Sequence, residues 1–188
     1  MDTFSHGFWS YFIFRNFKKK VIYIVIGSIF PDLIFFLNFF YLFISDIWFR
    51  REYIIELLYE WYHYGTLPRE KIAQFFFITT DNPNIVKITK YATHSIVVWL
   101  FALFIFWIFF RHENFFKYFL LGWYIHIFED LFTHVEDASP IFWPLDNTLY
   151  KGIISYWDPQ YFGETFNFVN KVLLIIAIIF LIYLRYKK

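Results

Sequence analysis

Hydrophobic positions in this chain fall into long runs separated by two polar-aromatic connections. The runs lie at 5–17, 21–44, 94–110, 115–132 and 166–184, and the connections at 45–92 and 133–165. A membrane-spanning helix needs roughly 20 apolar residues, and the four longer runs approach that length. Val21–Ile44 carries Gly27, Pro31, Asp32 and Asn38. Pro31 has no amide to donate and Asp32 requires a polar partner at depth, so the pattern predicts a break or kink within Gly27–Leu33. In Asp46–Tyr62 the apolar residues Ile47, Ile54, Leu58 and Trp61 recur at helical spacing among charges, which predicts a helix lying in the membrane interface. Pro68, Asp81-Asn82-Pro83 and Pro159 divide the connections further. The expected fold is all-α: a polytopic integral membrane helical bundle with interfacial helices, in which residues 1–188 form a single membrane domain.

Composition supports that solvent assignment. Apolar residues make up 59% of the chain, aromatics 28% and charged residues 18%, against about 25% charged in ordinary soluble domains. Thirty Phe, 15 Tyr and 8 Trp exceed what a 188-residue core can hide from water. A net charge of +1 gives no electrostatic footprint for nucleic acid. The absence of Cys excludes disulfides, thiolate metal sites and cysteine nucleophiles. Residues 1–17 lack a basic leader segment, so they read as a membrane stretch rather than a cleaved signal.

Charge asymmetry orients the chain. The turns at 18–20 and 111–117 and the tail at 185–188 hold Lys18, Lys19, Lys20, Arg111, Lys117, Arg185, Lys187 and Lys188. In 45–92 six basic and six acidic residues cancel, and 133–165 sets Lys151 against five acids. The positive-inside rule therefore places the basic turns in the cytoplasm of a multi-pass cell-membrane protein and the connections outside.

Ionisable groups inside apolar runs are costly and are functional candidates by default. His6 lies 12 residues before Lys18, and Asp32 lies 12 residues after Lys20. In a helical hairpin both stand about 18 Å from the basic turn at about 1.5 Å per residue. His94 lies 17 residues before Arg111, while His126 and Asp130 lie 12 and 16 residues after Asn114. These come to roughly 18–26 Å on the same scale. Four stretches thus deliver His or Asp to one level, toward the extracytoplasmic side. His126 and Asp130 are i, i+4 on one helix face and can address one ion. Imidazole and carboxylate donors suit zinc, with manganese or iron as alternatives. His134, eight residues after His126, joins the site if the helix continues. Glu129 projects about 100° from Asp130, which suits a base or an outer-shell partner better than a ligand. His63 and His112 read as solvated. No G-x-S-x-G elbow or phosphate-binding glycine loop is present.

Ser5-His6-Gly7, Gly27-Ser28-Ile29-Phe30-Pro31-Asp32, Thr93-His94-Ser95, and Gly122 through His126, Glu129, Asp130 and Thr133, followed by Phe142-Trp143-Pro144, occur in order. In this the chain resembles the membrane-bound metal-dependent hydrolases, small multi-helix membrane proteins of bacteria and archaea. Their His/Asp pattern is loosely similar to that of zinc-dependent phospholipases C. The resemblance implies a metal held by His6, Asp32, His94, His126 and Asp130. The chain departs from the family at Ile34, where a second Asp is usual, and at Lys90-Tyr91-Ala92, where a His-Arg pair is usual.

The expectation is a metal-dependent hydrolase acting on a lipid-like ester or phosphoester near the outer interface, with Glu129 or Asp130 as base. The alternatives are a non-enzymatic membrane protein with a structural His/Asp cluster, and a haem protein using His94 and His126 as axial ligands. The orientation is directly testable in this cysteine-free chain. Cysteines introduced at Asn114 and Lys187 should resist membrane-impermeant thiol reagents in intact cells; rapid labelling of both would reverse it.

Overall fold

A computed structural model describes residues 1–49, 55–56, 58–59, 62–63, 83–110, 112 and 114–187. Among them the ordered elements are all helical. They are α1 (Thr3–Phe14), α2 (Val21–Phe49), α3 (Pro83–Thr93), α4 (Ile96–Phe109), α5 (Asn114–Thr133) and α6 (Gly163–Tyr186), with short 3-10 turns at Arg15–Lys20 and Pro159–Tyr161. The chain divides into two compact units, Met1–Pro31 with Tyr91–Lys188, and Asp32–Lys90.

Among the described residues two stretches are long and apolar enough to cross a membrane, Thr3–Asn38 and Gly163–Tyr186, and α3 with α4 passes the same test together as a broken span or a re-entrant loop. The first stretch is not straight. Its backbone reverses at Lys18, where φ is 54°, and α1 returns along the start of α2. A Cβ on Gly7 would meet Ile29 Cγ2 at 3.0 Å, and the Ser28 hydroxyl donates to the His6 carbonyl at 3.3 Å. The hairpin inferred from the basic turn is therefore present.

Of the break or kink predicted at Gly27–Leu33, the break is absent. Helix α2 runs unbroken from Val21 to Phe49 with Pro31 inside it. One proline costs a helix interior about 3 kcal/mol, and membrane helices tolerate it where neighbouring elements hold the backbone in place. Here the neighbour is α5. Gly27 lies so close that a Cβ would fall 2.0 Å from the Phe119 carbonyl oxygen, and one on Gly122 would fall 1.9 Å from that of Ile24. Small residues that let backbones touch are the usual basis of helix contact in lipid.

Helix α5 presents two faces. Leu120, Trp123 and Ile127 are buried against Phe30 of α2 and Val98, Trp99, Ala102, Leu103 and Phe106 of α4. Gly122, His126 and Asp130 repeat every four residues and form a separate stripe. The last carbonyls of α5 are taken by the following connection, with Ile154 N–H donating to Phe132, Tyr156 N–H to Thr133 and Gly152 N–H to His134. Helix α6 is tied to α1 by Asn170, which accepts from Trp9 Nε1 and donates to Ser5 Oγ, both at 2.9 Å.

In the second unit, Asn38 Nδ2 donates to Thr89 Oγ1 at 2.6 Å and joins α2 to α3. The interfacial helix expected over Asp46–Tyr62 falls for the most part outside the described residues.

The α2–α5 contact yields a prediction. Gly122→Ala puts a methyl group into a backbone atom and should cost at least the about 1–3 kcal/mol typical of overpacking. Gly7→Ala meets only the end of a side chain and should be milder. Thermal unfolding in detergent ranks the two, and equal stabilities would refute the contact.

Candidate metal centre

The centre is built around Asp130, on the Gly122–His126–Asp130 stripe of α5. His126 and His6 are wholly buried, and Asp130 is 8% exposed. The α2–α5 contact brings the Ser28 carbonyl to 2.7 Å from His126 Nδ1. A carbonyl only accepts, so the His126 proton sits on Nδ1 and Nε2 turns a lone pair inward.

His94 occupies the break between α3 and α4. Ser95 caps α4 by accepting from the Val97 and Val98 amides, and its hydroxyl donates to the Trp143 carbonyl. Trp123 Nε1 donates to the Thr93 carbonyl at 2.6 Å, and the Ile96 amide donates to Ile141 at 2.8 Å. The break is thus held from both sides, which explains why Thr-His-Ser and the Phe-Trp-Pro run occur together. His94 Nδ1 lies 3.0 Å from Thr93 Oγ1, and its Nε2 lies 3.2 Å from His126 Nε2.

His6 arrives on α1. Its Nδ1 lies 2.6 Å from Glu129 Oε2 and its Nε2 lies 2.9 Å from Asp130 Oδ1. His134, one residue past α5, places Nε2 3.0 Å from Asp130 Oδ1 and Nδ1 2.7 Å from Asp137 Oδ2. The Met1 amino group donates to Asp130 Oδ1 at 2.8 Å and to Thr133 Oγ1 at 2.7 Å.

The donors therefore divide between the two oxygens of one carboxylate. Oδ1 faces His6 and His134. Oδ2 faces His126 at 3.1 Å and His94 at 3.4 Å. One ligand atom each from His94, His126 and Asp130 lie within 4.8 Å of one another. Among the described residues Asp130 Oδ2 and His6 Nε2 are buried and make no hydrogen bond despite these short approaches. A cation between Asp130 Oδ2 and the two ring nitrogens of His94 and His126 would satisfy all three atoms. On the outer side, Ser28, Glu129, Thr93 and Asp137 engage the second ring nitrogens, the arrangement that orients metal-ligating imidazoles. The residues present fit a divalent metal.

Asp32 stands one residue past the buried Pro31, partly buried, as the first residue of the second unit. His63 and His112 are exposed. The 3.2 Å between His94 Nε2 and His126 Nε2 leaves no space for a macrocycle between them, which removes the haem alternative. Sequence reasoning had no signal for the Met1 amino group or for Ser28 as a carbonyl acceptor. Thr133 could have been found, since it follows Asp130 by three residues on one face. The neighbouring acid Glu136 is exposed and committed elsewhere. Hydrogen bonds from Lys151 and then Tyr161 hold its carboxyl below the ordinary value.

Neither a curated protein nor a solved structure matches the chain. The sequence profile described as zinc dependent phospholipase C matches residues 6–168. The matched stretch begins at His6, runs through His94, His126, Asp130 and His134, and supports the phospholipase-like half of the resemblance. With that profile covering most of its length, the chain belongs to the zinc dependent phospholipase C family.

Proposed function

We propose that this protein is a polytopic membrane hydrolase that cleaves an ester or phosphoester of a lipid-like substrate near the outer membrane interface. The observation that carries the reading is Asp130, a buried carboxylate whose two oxygens each face a pair of imidazole nitrogens. His94, His126 and Asp130 Oδ2 form the donor set, while Oδ1, with His6 and His134 beside it, receives the Met1 amino group. The resemblance read from the sequence adds Asp32 as a further candidate ligand.

A divalent ion bound here, zinc by family membership, would acidify water and polarise the substrate oxygen. The chain's own groups do the rest. Asp130 is enclosed by imidazoles and serves as a shared ligand. Glu129 holds His6 through one bond and also lines the adjoining cavity, which places it to take the proton from an attacking water. The apolar stretches around the centre keep bulk water out. A purely structural cluster is the second reading, favoured by Ile34 at the position where the membrane-bound hydrolases usually carry Asp.

Elemental analysis and hydrolysis assays on detergent-purified protein separate the two. His126→Ala and Asp130→Ala should lose the metal, while His63→Ala keeps it. Glu129→Gln should retain metal and lower hydrolysis about 10–100-fold, the range seen when a partner of a metal-bound histidine is altered. Bound metal with no turnover of any lipid ester or phosphoester would favour the structural cluster.

A further inference from the structure

A cleft of about 340 Å³ opens between α1, α5 and α6 beside the centre. Its walls are Phe128 and Phe132 of α5 and Phe166, Val169 and Leu173 of α6, and its inner edge is Met1, Glu129 and Thr133. Two polar side chains on the walls, Trp9 and Asn170, are bonded to each other at 2.9 Å, and Asn170 spends its amide on Ser5. The walls therefore favour an apolar occupant, and polarity is concentrated at the edge that touches the centre.

The cleft opens sideways. Phe128, Phe132, Val169 and Leu173 are 51%, 45%, 47% and 47% exposed, so the residues that line it also form the outer surface of α5 and α6. Helix α6 is one of the stretches able to cross a membrane, and the medium beside such a surface is lipid rather than water. The volume lies at the lower end of the about 300–1,000 Å³ typical of ligand sites, which suits one chain rather than two.

We infer that this cleft seats a single hydrocarbon chain of the substrate, entering laterally between α5 and α6, with the scissile polar group held at the Glu129 edge. The inference rests on the lipid-hydrolase reading and adds which surface selects the substrate. Chain occupancy makes Leu173 and Val169 specificity-determining positions.

The test uses the metal-loaded protein and a diazirine-bearing fatty acid, whose crosslinks are mapped by mass spectrometry. Leu173→Trp fills the cleft, and Ile179→Trp is the control on an exposed part of α6 outside it. Labelling of 128–132 and 166–173 is expected in the parent and in Ile179→Trp, and should fall about tenfold in Leu173→Trp with metal content unchanged, equivalent to losing about two buried methylenes. With a long-chain substrate, Leu173→Trp should raise KM by a similar factor and leave kcat nearly constant. Equal labelling of the parent and Leu173→Trp, or labelling confined to other helices, overturns the inference. Cleft-specific labelling in a protein that hydrolyses nothing would uphold the chain site while refuting the lipid-hydrolase reading.

Discussion

The backbone contact between α2 and α5 at Gly27 and Gly122 is the constraint from which the centre follows. Two helices whose carbonyls lie within van der Waals reach of the facing Cα positions cannot slide past one another without collision. With that register fixed, the Ser28 carbonyl can meet His126 only one turn along from Gly122. The imidazole is then held in one tautomer and one orientation. Apolar side chains cannot supply this precision where the surroundings are apolar too, because removing them from lipid gains little. Close packing of small residues can.

Around Asp130 the same economy recurs. Each histidine is held at its far nitrogen by a group from a different part of the chain: a carbonyl of α2, a carboxylate of α5, a hydroxyl at the α3–α4 break, and an acid in the connection after α5. These tethers aim the inner nitrogens at one carboxylate. A buried carboxylate is costly without positive charge nearby; the Met1 amino group meets Oδ1, and Oδ2, facing His94 and His126, is where a cation would sit. That is the physical meaning of the close approaches that make no hydrogen bonds.

Much of this was legible from residue counting. The basic turns act as rulers, and counting from them brings His6, His94, His126 and Asp130 to one level because a helix rises by a constant amount per residue. A break at Pro31 was expected because local propensity was weighed without the α5 contact that keeps the helix continuous. The division of donors between Oδ1 and Oδ2 was not legible, since it depends on side-chain rotation about Asp130. Glu129 was separated from the ligands by its angle on the helix, but its partner across the bundle could not be known. The interfacial helix expected over Asp46–Tyr62 lies mostly outside the described residues.

The bond between His6 and Glu129 joins residues 123 positions apart, and its reach bears on how the molecule is made. Helix α1 is synthesised early, yet the groups that its histidine serves are translated far later, after the second unit has intervened. Contacts so distant in sequence form slowly, because a long loop must close before they bring any gain. Until then the carboxylates of α5 lack the imidazole of α1, and the Asn170 tether from α6 to α1 has yet to be made. Assembly of the centre therefore comes late in biogenesis, once α1 has met both α5 and α6.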